Sequence, residues 1–148
     1  MSDVYRTLGT TVRLLRSRLD RALQQVGLRL GQFQVLRLLW ERDGLTPREL
    51  SERLGVEMPT VTRTVQRMLR DGLVRREAHP VDARSVCIFL APRGVDLQES
   101  VSAILQTETE ASLAGFSQAE RAALVAFLER MSANSHAPPV SRAPKGVE

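Results

Sequence analysis

Between Leu45 and Leu90 the chain changes from helical to strand periodicity, with turn residues at each change, and this constrains its fold more than any other segment. Thr46-Pro47-Arg48-Glu49 opens a helix. Thr46 and Glu49 have the spacing of a capping box, and Pro47 takes the first helical position, where a missing N–H costs nothing. Leu50 and Leu54 form the core face of that helix, and Gly55 closes it. Pro59-Thr60-Val61-Thr62-Arg63 starts the next helix, which Gly72 ends. Residues 73–77 and 85–90 then read as two short strands rich in β-branched side chains, joined by the loop Ala78-His79-Pro80-Val81-Asp82-Ala83-Arg84. Such a hairpin is worth little alone in water, so it must pack on the helices or touch a ligand.

The second helix of this unit divides cleanly into two faces. Val61, Val65, Met68 and Leu69 fall within about 100° of arc, while Thr60, Arg63, Gln66, Arg67 and Arg70 occupy the other side. That side holds three Arg and no acid before Asp71, so no i,i+4 pairs neutralise it as they would on an ordinary solvated face. The net charge of +4 over 148 residues is mild, but its distribution is not. Residues 58–93 carry seven Arg against three acids, whereas residues 94–148 are acidic overall. A surplus of Arg on one helix and its hairpin is the electrostatic footprint of a polyanion partner. Lys145 is the only lysine. Arg suits bidentate contacts to phosphate and guanine, although a biased genome composition would give the same excess.

The flanks are helical. Val4, Leu8, Val12, Leu15, Leu19, Leu23 and Val26 recur at spacings of three and four, predicting one amphipathic helix up to Gly27. So long a terminal helix suggests an oligomerisation element, with burial against its own chain as the plainer alternative. Phe33, Leu36, Leu39 and Trp40 mark a helix ended by Arg42-Asp43-Gly44. A fifth helix runs from Pro92-Arg93-Gly94 towards Leu113. Ser117 and Glu120, a second capping box, open a last helix through Leu124, Phe127, Leu128 and Met131. The Ser/Pro/Ala-rich stretch 132–148 is expected to be disordered.

Several chemistries are disfavoured. The lone Cys87 excludes an intramolecular disulfide or a cysteine zinc cluster, and its strand position suits a small core residue. His79 and His136, the only histidines, are too few and too far apart for a metal site. His79 is expected to hydrogen-bond within its turn or to approach a phosphate. No phosphate loop, catalytic triad or HExxH is present, so neither catalytic residues nor a cofactor are expected. No apolar run spans a membrane and no signal peptide is evident, which predicts a cytoplasmic protein.

Three segments, in order and at matching spacing, carry a family resemblance: Leu54-Gly55-Val56 with Pro59 to Arg63 and Leu69-Arg70-Asp71-Gly72-Leu73-Val74; Asp82-Ala83-Arg84-Ser85; and Leu90-Ala91-Pro92-Arg93-Gly94. Over Val4 to about Met131 the chain resembles the MarR family of bacterial winged helix-turn-helix regulators. The resemblance implies a mainly α fold with a small β-hairpin wing, forming one domain over residues 1–131. Residues 30–91 would form the DNA-binding lobe, and residues 4–27 and 92–131 the dimerisation helices of an obligate homodimer. It implies double-stranded DNA as partner, as a pseudo-palindromic operator. Thr60, Thr62, Arg63 and Arg67 match DNA-facing positions, and Gln66 and Arg70 share their face. Arg84 would enter the minor groove, and Asp82 would hold Arg84 or a neighbouring Arg by an ion pair. It also implies a small aromatic or phenolic effector that releases the DNA, in a crevice drawing on Tyr5, Val12, Arg16 and Trp40; Phe33 reads better as core. Two positions depart from the family pattern. Glu57 replaces the usual capping Ser, and Ala91 replaces a capping Thr at a cost of about 1 kcal/mol. The competing reading is an architectural protein that binds nucleic acid without sequence preference and has no effector.

Overall fold

The structure, a computed structural model, describes residues 3–136. The described residues divide into two compact units, with the break between Ser112 and Leu113. The first holds α1 (Asp3–Leu23), a short 3-10 turn (Gln24–Val26), α2 (Leu30–Glu41), α3 (Pro47–Leu54), α4 (Met58–Arg70), β1 (Val74–Ala78), β2 (Val86–Leu90) and α5 (Pro92–Ser112). The second holds α6 (Gln118–His136). α6 has no fully buried residue.

The predicted fold class is the observed one: a mainly helical chain with a single two-stranded antiparallel hairpin. α2 is the central helix, burying Phe33, Val35, Leu36, Leu38 and Leu39 against Leu50 of α3, Val61, Val65 and Met68 of α4, and Ile88 of β2. The hairpin register runs from Val74 opposite Leu90 to Ala78 opposite Val86. Leu45 adds a further bridge: its carbonyl accepts from the Ile88 amide at 2.8 Å, tying the loop before α3 to the hairpin. Cys87 is buried in β2, as its strand position suggests.

Both capping boxes form. The Glu49 amide donates to Thr46 Oγ1 and the Thr46 amide to Glu49 Oε2; Ser117 and Glu120 do the same at α6. Glu57 precedes α4 without a side-chain cap, as its length implies. The first helix ends earlier than its apolar spacing suggests. Its last turn tightens to 3-10 geometry, and the chain reverses at Gly27, whose φ of +74° lies in the left-handed region. In the other direction, α6 continues past Met131 to His136, so residues 132–136 are helical rather than disordered. In this stretch Ser135 Oγ donates back to the Met131 carbonyl at 2.8 Å, which removes the hydroxyl's need for another partner. Residues 137–148, the rest of the expected disordered tail, lie outside the described residues.

The corner between α1 and α2 is held by a group that no local pattern reveals. Asp20 accepts from the Leu30 amide at 2.8 Å, capping α2 from the preceding helix, and pairs with Arg29 through both Nε and Nη2. The Leu30 amide foremost, then the Arg29 guanidinium, holds its carboxyl below the usual aspartate value, against an opposing desolvation. Asp20→Ala should therefore destabilise the protein by about 1–2 kcal/mol, the range for loss of a helix cap. An unchanged urea midpoint would show that the corner does not depend on this carboxylate.

Candidate nucleic-acid interface

Packing positions α4. Val61, Val65 and Met68 are buried beneath it, which turns Thr60, Arg63, Gln66, Arg67 and Arg70 outward over about 120° of arc. All five are exposed; Thr62 is exposed too, at the edge of that face. Arg63, Gln66, Arg67 and Arg70 line a shallow depression of about 230 Å³. Among the described residues none of these three arginines has an ion-pair partner. The turn before α4 is braced by Ser51 Oγ, which donates to the Val56 carbonyl at 2.6 Å. That brace has no sequence signature, since the pairing depends on how the turn folds.

The hairpin tip is a closed network. His79 Nδ1 accepts from the amides of Val81 and Asp82 at 3.2 and 3.1 Å, so the ring nitrogen works within the turn. Asp82 Oδ1 accepts from the Arg84 amide at 3.1 Å and from Arg84 Nε at 3.4 Å, while Ser85 Oγ donates to Asp82 Oδ2. The pairing of Asp82 with Arg84 is thus present in the folded chain, with the Arg84 side chain otherwise open to solvent. On β1, Arg75 pairs with Glu77 and stacks 4.8 Å over the Phe89 ring, so its charge is partly spent inside the wing.

The Arg84 amide first, then its side chain and the Ser85 hydroxyl, holds the Asp82 carboxyl below the ordinary value of 3.8. A lowered folded-state pKa gives an ordering contribution that is complete above the unfolded value and disappears as pH falls through the folded one. The part of the tip's order that Asp82 contributes should therefore persist down to about pH 4 and be lost below it. NMR titration of the Asp82 carboxyl should give a midpoint under 3.8; a midpoint at or above that value contradicts the network.

The four residues expected to share an effector crevice are not brought together within one chain. Tyr5, Val12 and Arg16 lie on one exposed stripe of α1, Tyr5 being 78% exposed. Trp40 is half-buried on α2, its Nε1 donates to the Gly94 carbonyl at 2.9 Å, and its ring lies 6.5 Å from that of Phe33. α1 and α5 run antiparallel, with Arg18 paired to Glu108 and the Gly27 corner against Arg93. Tyr5 extends about 20 Å from that ion pair in one direction and Gly94 about 20 Å in the other, so Tyr5 and Trp40 are roughly 40 Å apart. Phe33 is core, as expected. No cluster of three or more His, Cys, Asp or Glu with metal-ligand geometry occurs among the described residues, and no described helix is long and apolar enough to cross a membrane.

A helix-turn-helix with an arginine face on its second helix and a structured hairpin beside it defines a winged-helix module of the kind that docks on duplex DNA. Residues 28–86 match the MarR family. The HTH-type transcriptional repressor Mb2911 of Mycobacterium bovis is 30% identical over 82% of this chain and 87% of its own length. The HTH-type transcriptional regulator TtmR of Methylorubrum extorquens is 34% identical over 72% of this chain, which spans 53% of that longer protein. A MarR-type regulator from Listeria monocytogenes, solved with a 26mer DNA, has the same fold, with a TM-score of 0.80 and 23% identity over 90% of this chain and 89% of that one. The chain belongs to the MarR family of DNA-binding transcriptional regulators. Both relatives bear transcriptional-regulator names.

Proposed function

We propose that this protein is a cytoplasmic, sequence-specific, homodimeric transcription regulator, acting as a repressor that a small aromatic ligand releases. The observation that carries the DNA reading is the unpaired arginine face of α4 beside a pre-ordered wing. α4 reads base edges in the major groove through Thr60, Arg63, Gln66 and Arg67, with Thr62 and Arg70 at its margins. Arg84, oriented by Asp82, reaches the adjoining minor groove. What supports the dimer is apolar surface left over on helices at both ends of the chain. α1 exposes Val4, Tyr5, Val12, Leu14 and Leu15, and α6 exposes Val125, Phe127 and Leu128. Faces of this kind mark protein–protein contacts. Trp40 uses its Nε1 on Gly94 and keeps its half-buried ring for a ligand, while the Tyr5, Val12 and Arg16 stripe would meet one together with groups from a partner subunit.

Selection of bound duplexes from a random pool tests this reading. A pseudo-palindromic consensus with half-site centres about one helical turn apart is the expected result. Binding to the selected site within tenfold of random duplex would favour the architectural alternative, since operator readers discriminate by at least about 10³. Arg84→Ala should weaken binding by about 1–3 kcal/mol, most where A·T-rich flanks narrow the minor groove. Affinity that holds across all flanks would remove Arg84 from the interface.

A further inference from the structure

The C-terminal end of α4 is gripped from two sides by groups outside the DNA face. Asp71, the residue that ends α4, accepts from Gln32 Nε2 at 3.0 Å through Oδ2, and its main-chain carbonyl accepts from Arg93 Nη1 at 2.7 Å. Gln32 is the buried polar residue of the core, and its Oε1 accepts from the Arg29 amide at 3.0 Å, where Asp20 also anchors α2. Arg93, from the first turn of α5, also lies against Gly27; a Cβ there would meet Arg93 Nη2 at 2.9 Å. A guanidinium on a carbonyl at a helix C-terminus meets the negative end of the helix dipole. One residue thus fastens the recognition helix to α2 and α5, at the corner where α1 ends.

We propose that Asp71 is a positioning residue for DNA recognition: with Gln32 and Arg93 it fixes the angle of α4 to the α1–α5 frame, and so the separation between the recognition helices of a dimer. This rests on the dimeric, operator-reading function proposed above. The property it governs is discrimination between operators of different half-site spacing, not the grip on a single half-site. A rigid α4 rejects a mis-spaced site, whereas a loosened one swivels to meet it.

The test compares full-length wild type, Asp71→Ala and Asp71→Asn on three duplexes: the selected operator, the same operator with two base pairs inserted between half-sites, and a single half-site. Ala and Asn remove the same charge, but Asn keeps an oxygen for Gln32. Their difference therefore isolates the hydrogen bond from any change in phosphate repulsion. Asp71→Ala should narrow the wild-type preference for the natural spacing by about tenfold, an effect of the size seen for residues that couple distant sites. Its half-site affinity should stay at the Asp71→Asn level, and Asp71→Asn should keep the wild-type spacing preference. An Asp71→Ala protein with wild-type preference, or one whose half-site binding falls as much as its operator binding, overturns the positioning role alone. A wild type indifferent to spacing overturns both this role and the dimeric reading beneath it.

Discussion

Arg63→Glu is expected to abolish operator recognition while leaving the fold as stable as before or slightly more so. In a dimer the change removes two contacts, each worth about 1–3 kcal/mol, and sets two carboxylates against the DNA, so affinity should drop by at least about two orders of magnitude. Stability moves the other way for a local reason. Arg63 and Arg67 are one helical turn apart on an exposed face with no acid between them, and like charges at that spacing repel. A carboxylate four residues before Arg67 converts repulsion into attraction, worth about 0.3–0.5 kcal/mol. Titrations of the selected duplex at fixed salt, paired with urea unfolding, read both effects; salt must be held constant because phosphate contacts make affinity steeply salt-dependent. Loss of binding together with a fall in stability would mean that Arg63 supports the fold, and the reading of this face would fail.

That opposition between local stability and partner binding also explains why α4 was the most legible part of the sequence. A helix that segregates aliphatic side chains from unpaired arginines announces both its core and its partner within a dozen residues. The capping boxes at Thr46 and Ser117 were legible for the same reason, because both partners lie within one turn. His79 showed itself through turn chemistry, and Cys87 through the apolar strand around it. Interactions between distant residues left no such trace. Asp20 capping α2, Trp40 donating to Gly94, Leu45 bridging Ile88 and Gln32 gripping Asp71 each join residues brought together only by the fold. The grouping of Tyr5 with Trp40 is of the same kind: the resemblance joins them, while within one chain Tyr5 lies near the start of α1 and Trp40 lies beside Gly94 at the start of α5. The length of α6 was obscured because residues 132–136 carry no apolar period to mark them as helical.

The second large effect concerns the fold. Gly94→Ala should destabilise the protein by about 3 kcal/mol, near the upper end of the range for overpacking. A Cβ built at Gly94 would lie 2.2 Å from the Leu73 carbonyl oxygen, and 3.3 Å from both the Leu73 carbonyl carbon and Leu90 Cδ2. Leu90 can turn aside, but Leu73 is main chain and is pinned: its carbonyl also accepts from the Ala91 amide at 3.0 Å. Relief requires the first turn of α5 to lift away from the strand that begins the wing, and that motion would pull the Gly94 carbonyl off Trp40 Nε1. Gly9 provides the contrast. It lies in α1, nothing comes within 4 Å of its would-be Cβ, and its φ is not positive. Within the single chain a Cβ at Gly9 overpacks nothing, so Gly9→Ala should gain helix propensity of up to about 1 kcal/mol. The same chemical change at two helical glycines should shift the urea midpoint in opposite directions. If both variants shift it the same way, the close approach of α5 to Leu73 is not what requires glycine at position 94.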